Sequence, residues 1–179
     1  MPLDEPLPPG SAPAPAPATP GLLAHLGLGL AVLTAFALRC GPRTVLDTGS
    51  SVDIWDPDAC LHLRRVMILL ARDGSLPSWD AWSNFPEGNA PYFMPMLDWL
   101  IYGACKLLGL GVGDEVQVCR VGAFAPPLLG ALALLPVYGI ARRLMGSTTA
   151  IGACFALALL PGHMKNSRFG VVDHHVLES

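Results

Sequence analysis

Three stretches of this 179-residue chain carry no formal charge over the length needed to cross a lipid bilayer. They are residues 21–38 (GLLAHLGLGLAVLTAFAL), 121–141 (VGAFAPPLLGALALLPVYGIA) and 144–164 (LMGSTTAIGACFALALLPGHM). About 20 residues rising 1.5 Å each match a hydrocarbon core of about 30 Å. Pro126, Pro127 and Pro136 would break a helix in water, but neighbouring helices in a membrane bundle absorb such kinks. Composition agrees: 14% of residues are charged, against roughly 25% in an ordinary soluble domain. None of the 11 Lys and Arg residues precedes Arg39, and the net charge is −3. With no basic cluster to hold a phosphate backbone, nucleic-acid binding is excluded. The expected fold class is all-α and polytopic.

The rest of the chain is organised around these spans. Residues 1–20 (MPLDEPLPPGSAPAPAPATP) form neither helix nor sheet, because proline fixes φ and lacks a donor; a disordered, polyproline-like tail is expected. Asp4 and Glu5 stand where a secretory signal would be basic. A fourth apolar stretch, 95–113, holds Asp98 and Lys106 with Trp99 and Tyr102, so it either spans with its charges snorkelling or lies flat at the interface. Residues 39–94 are polar and acidic, with one amphipathic helix expected at about 62–72. The five cysteines lack C-x-x-C spacing and read as small buried hydrophobes.

Two acidic clusters can carry chemistry. The first is Asp56-Pro57-Asp58-Ala59-Cys60-Leu61-His62-Leu63-Arg64; the second runs from Arg168 through Asp173-His174-His175 to Glu178. In extended backbone, residues i and i+2 point to one side, so the Asp173 carboxylate and the His175 imidazole can reach one cation. A mixed oxygen and nitrogen set suits Mn²⁺ or Zn²⁺ at least as well as Mg²⁺. The competing reading makes Asp173 a helix cap with both histidines solvated, and Asp58 a plain loop carboxylate.

A single span, an acidic loop with D-P-D-A-x-x-H-x-R, further membrane segments, then P-G-H-M and S-R-F-G-V-V-D-H-H together resemble the N-terminal part of the oligosaccharyltransferase catalytic subunit family. The likeness is to archaeal and bacterial single-subunit members, from about residue 21 onward. It implies a membrane glycosyltransferase of the GT-C type, moving an oligosaccharide from a lipid-linked donor to the asparagine of N-x-Ser/Thr in an acceptor protein. Asp58 and Arg64 match the family's D-x-x-x-x-x-R, and Asp173-His174-His175 its D-x-H. The resemblance makes Asp58 the catalytic carboxylate and assigns Asp58, Asp173 and His175 to a divalent cation, Mn or Mg with Zn as an alternative. It gives weaker substrate-binding roles to Arg64, Arg168 and His174. Arg168 stands five residues before Asp173, closer than the arginine of many members.

A shared site requires Asp58 and Asp173 on one face of the membrane. The expected arrangement is therefore three spans, a long first external loop (39–120) with 95–113 as an interfacial helix, and a second external loop starting at 165. Both motifs would face outward from the inner or plasma membrane of a prokaryote, with Arg142-Arg143 in a short cytoplasmic turn. Arg39 and Arg43, just after the first span, locally favour the opposite side. The chain is expected to be an N-terminal fragment, inactive by itself, since it offers no candidate for the acceptor-binding domain. The alternatives are a non-catalytic membrane subunit and a protein mannosyltransferase-like enzyme.

Overall fold

A computed structural model describes residues 21–54, 56–90 and 95–178; the tail expected over residues 1–20 lies outside them. The regular structure of the described residues is helical, and their only β-pairing is two isolated bridges, Asp47 with Val52 and Asp80 with Asn89. The first helix, α1, spans Leu22–Arg39 and is followed by a single turn, α2 (Arg43–Leu46). Then come α3 (Pro57–Ala71), α4 (Met96–Leu107), α5 (Glu115–Leu132), α6 (Leu134–Met145), α7 (Ser147–Leu159) and α8 (Pro161–Asn166). The last element is a 3₁₀ turn over His174–Leu177.

Among the described residues, two segments are long and apolar enough to cross a membrane: Leu22–Leu46, and Glu115–Met145, where α5 and α6 run on. The third apolar stretch differs from its expected length. Leu160 turns extended (ψ 118°) ahead of Pro161, so α7 ends after 13 residues, about 20 Å, and α8 starts in a new direction. Stretch 95–113 contributes only the 12 residues of α4, about 18 Å, with Leu108 closing the helix.

Small side chains let the long helices approach closely. Ala31 and Ala35 of α1, Ala131 and Leu134 at the α5–α6 join, and Ala150, Cys154 and Ala158 of α7 form one buried cluster. Such stripes replace the hydrophobic drive that hydrocarbon cannot supply between helices. On the outer side of α1, Leu22, Leu23, Leu26, Leu30 and Leu33 are exposed. Gly146 (φ +86°) forms the turn that sends α7 back along α6.

A second cluster sits at the opposite end of the bundle and supports the motifs. It joins Ala59, Leu63 and Val66 of α3, Leu97, Ile101 and Cys105 of α4, Val118 of α5, and Val172 and Val176. Burial pushes the Cys105 thiol up to about 11, so it behaves as the inert hydrophobe expected.

Three polar fastenings tie this end together, the first two of them holding the C-terminal segment. Proline has no N–H, so Pro127 leaves the Ala123 carbonyl without its helical donor, and that oxygen accepts from Gly170 N at 3.2 Å. The fully buried Arg39 guanidinium donates to Ser167 Oγ (2.8 Å), Ala35 O (2.9 Å) and Ala158 O (3.1 Å), and its Nη2 meets His163 Nδ1. The Arg39 carbonyl accepts from Phe169 N at 2.9 Å. Finally, Arg120 clasps Asp47 through Nε (2.8 Å) and Nη2 (2.9 Å), holding that carboxyl well below the usual carboxylate range. The two arginines after the first span thus have packing roles: Arg39 is interior, and Arg43 lies over the Phe124 ring, 5.3 Å from its centre. Neither is a bare flanking charge of the kind the positive-inside rule counts.

Candidate metal and donor site

The first motif is on a helix, not in a loop. Asp56 caps α3, its Oδ1 accepting from Asp58 N at 3.0 Å, and Pro57 takes the first helical position, where a missing N–H costs nothing. The helix therefore starts five residues before the expected 62 and carries Asp58 exposed in its first turn. One turn on, at i+4, His62 is buried on the same helix.

The second motif combines the two readings open from the sequence. Asp173 is extended (φ −130°, ψ 143°), and its side chain also caps the 3₁₀ turn, accepting from His175 N at 3.4 Å. Its carboxylate lies between the two histidines, 2.8 Å from His174 Nδ1 and 3.9 Å from His175 Nε2. The Nδ1 of His175 meets Glu178 Oε2 at 2.8 Å. Glu178, then Asp173 and more weakly Asp58, raise the His175 imidazole above its ordinary value.

Two groups of donor atoms lie within 4.8 Å of one another: His62, Asp173 and His174, and His174, His175 and Glu178. Asp173 belongs to the first group and His175 to the second, His174 is shared by both, and Asp58, exposed at the start of α3, belongs to neither. One carboxylate with two imidazoles fits a borderline cation such as Mn²⁺ or Zn²⁺ better than the all-oxygen shell of Ca²⁺.

The two arginines of the motifs have other surroundings. Arg64 grips the Asp80 carboxylate with both terminal nitrogens, Nη2 to Oδ1 at 2.7 Å, which is the pairing with a loop acid. The Arg64 hydrogen bond brings Asp80 down to about 2. Arg168 is exposed and lines a cavity of about 220 Å³ with Asp56, Leu46 and Gly170.

Sequence reasoning gave no role to His62, Arg65, Asp98 or Arg39. His62 Nδ1 lies 2.6 Å from Asp98 Oδ1, and Arg65 Nε 3.1 Å from Asp98 Oδ2, all three side chains 5% exposed or less. The available signal was Asp98 itself, a charge in an apolar helix that must find a partner.

Comparison with known proteins follows the same residues. Residues 54–179 match the family model described as oligosaccharyl transferase STT3, N-terminal. A dolichyl-monophosphooligosaccharide–protein glycotransferase, AglB, of Haloferax volcanii is 32% identical over 123 residues, 68% of this chain and 12% of that protein. Dolichyl-phosphooligosaccharide-protein glycotransferase 3 of Archaeoglobus fulgidus is 32% identical over 102 residues, again 12% of its length. The chain therefore spans about an eighth of these relatives. Among solved structures, the archaeal oligosaccharyltransferase AglB from Archaeoglobus fulgidus, in complex with an inhibitory peptide and a dolichol-phosphate, superposes with TM-score 0.78 at 25% identity, over 88% of this chain and 18% of that one. The Archaeoglobus fulgidus oligosaccharyltransferase in complex with Zn and sulfate gives TM-score 0.77 at 27% identity, over 85% and 19%. The same enzyme tethered to an acceptor peptide containing the NVT sequon gives 0.78 at 26%, over 87% and 18%.

Proposed function

The chain belongs to the oligosaccharyl transferase STT3 N-terminal family, and from that premise we propose that it supplies the metal-holding corner of a membrane enzyme that transfers a lipid-linked oligosaccharide to asparagine. One observation carries this reading: two short motifs 115 residues apart, around Asp58 and around Asp173, meet at one end of the helix bundle. Relatives whose structures hold a dolichol-phosphate, an NVT acceptor peptide or Zn support the donor, the acceptor and the cation class.

The acceptor amide nitrogen is a weak nucleophile because its lone pair is delocalised into the carbonyl. Asp58, exposed at the start of α3, is placed to accept a hydrogen bond from that NH₂ and so localise the lone pair. Asp173 and His175, with Asp58, would hold a divalent cation, Mn²⁺, Mg²⁺ or Zn²⁺. Bound there, such an ion supplies positive charge to offset what develops on the departing lipid phosphate. His174 is a candidate contact for that phosphate. Arg64, engaged with Asp80, holds the first loop in shape, and Arg168 is a peripheral contact at most.

The motif end of the bundle faces away from the cytoplasm in this reading, and Arg142-Arg143, at the far end of α6, faces it. The membrane is the inner or plasma membrane of a prokaryote. In the full-length enzyme, Asp58→Ala and Asp173→Ala should each lower glycan transfer to an N-x-Thr peptide by at least about 100-fold, the scale of losing a group that stabilises transition-state charge. Chelation should abolish transfer and added Mn²⁺ restore it. Wild-type turnover in either variant would reject the assigned roles. Purified residues 1–179 alone are expected to transfer nothing.

A further inference from the structure

We infer that His62 is an additional ligand of the cation held by the second loop, and that Asp98, braced by Arg65, is the residue that positions it. The inference rests on the reading that a divalent cation sits between the two loops. It adds a residue of α3 and one of α4 to a site otherwise drawn from Asp58 and the Asp-His-His turn.

Three observations meet at His62. Its ring is 1% exposed, yet one of its nitrogens lies within 4.8 Å of donor atoms on both Asp173 and His174. Its ring centre is 5.7 Å from that of His174, the tilted approach of two imidazoles converging on one space. Its Nδ1 is already committed, 2.6 Å from Asp98 Oδ1. Since a carboxylate accepts, Nδ1 carries the proton and Nε2 is the nitrogen with the basic lone pair.

That arrangement is the one by which proteins prepare a histidine ligand. A metal-bound imidazole almost always donates its other N–H to a carboxylate or carbonyl, which sets the tautomer and the ring orientation. Here the carboxylate has its own support, Arg65 Nε at 3.1 Å from Asp98 Oδ2, on the turn of α3 next to His62. The line Arg65, Asp98, His62 runs from the core between α3 and α4 out to Asp173. A purely structural buried His–Asp pair would join α3 to α4 equally well, but it gives no reason for the ring to lie among the donors of a loop 111 residues away.

The test uses the full-length enzyme and Mn²⁺ alone, with affinity read by calorimetry and by the spin resonance of unbound Mn²⁺. Asparagine can place its amide N–H where Nδ1 sits and keep the bond to Asp98, but it has no atom at Nε2. His62→Asn should therefore weaken Mn²⁺ binding by at least about 10-fold, while the metal-free protein unfolds within a few degrees of wild type. Asp98→Asn should weaken it about 10- to 100-fold, the usual effect of losing an outer partner. Unchanged affinity in folded His62→Asn overturns the inference and leaves the proposed function standing; should that variant not fold, unchanged affinity in Asp98→Asn does the same. A wild-type enzyme that binds no Mn²⁺ rejects the proposed cation site itself.

Discussion

Gly130 packs directly against Ser167 at the start of the second loop, and Gly130→Ala measures how firmly the loop is held. A methyl group there would lie 2.5 Å from Ser167 Cβ, 2.7 Å from Ser167 Oγ and 3.0 Å from Arg39 Nε. Carbon atoms in good contact sit about 3.5–4.0 Å apart, so roughly 1 Å must be gained. Ser167 follows α8 directly and its hydroxyl accepts from Arg39, so relief means shifting α8 or breaking that bond. Overpacking costs about 1–3 kcal/mol, and losing a hydrogen bond to a charged group about 1.5–3 kcal/mol. These are alternatives and do not add. Alanine in a helix interior returns about 1 kcal/mol relative to glycine. The net loss is up to about 2 kcal/mol. Gly122→Ala is the control: it gains the same helix propensity, and its methyl meets Leu63 Cδ2 at 2.3 Å, the tip of a side chain that can rotate. Thermal unfolding of the full-length protein in nanodiscs should place Gly130→Ala below both wild type and Gly122→Ala. Because Ser167 leads into Asp173, Gly130→Ala should also weaken Mn²⁺ binding. A Gly130→Ala protein as stable as Gly122→Ala, with wild-type Mn²⁺ affinity, would refute the close-packed fastening.

Other perturbations probe the remaining supports. Asp80→Asn should destabilise the first loop by about 1–2 kcal/mol, measured by thermal unfolding: nearly two pKa units set an upper bound of about 2 kcal/mol, and the 36% exposure of Arg64 reduces it. Asp80 is depressed from 3.8 to about 2, so its contribution is complete above pH 4 and disappears as pH falls through 2, a loss absent in Asp80→Asn. Arg39→Met should cost about 2–4 kcal/mol in the same assay, since it leaves Ala158 O and His163 Nδ1 buried without their donor. Gly170→Ala should cost about 1–2 kcal/mol, because φ is +85° and the methyl would lie 3.0 Å from Leu46 Cδ1.

Much of this was readable in the chain. Two of the three uncharged runs gave long helices, since only helices satisfy every backbone group in hydrocarbon, while the third is cut short ahead of Pro161. Asp98 and Lys106 marked the 95–113 stretch as a weaker candidate for a span, and it forms a helix of only 12 residues. The pairing of Asp58 with Asp173 came only through resemblance, because no local rule joins residues 115 apart. The start of α3 was missed although Asp56-Pro57 is a capping residue followed by the proline that suits the first helical turn. The functions of Pro127 and Arg39 were hidden for a deeper reason. A proline frees a carbonyl, but which distant N–H takes it depends on tertiary packing. A buried arginine looks in sequence like any flanking charge.

The central claim is that Asp58 and Asp173 share one face of the membrane, and labelling from one side tests it most directly. Cys60, exposed two residues after Asp58, is a natural reporter of the first loop. With Cys40, Cys105, Cys119 and Cys154 replaced by alanine, Glu178→Cys reports the second loop. Applied to intact cells, a membrane-impermeant maleimide should modify both Cys60 and the cysteine at 178. Modification of one from outside and the other only in inverted vesicles would contradict the shared site.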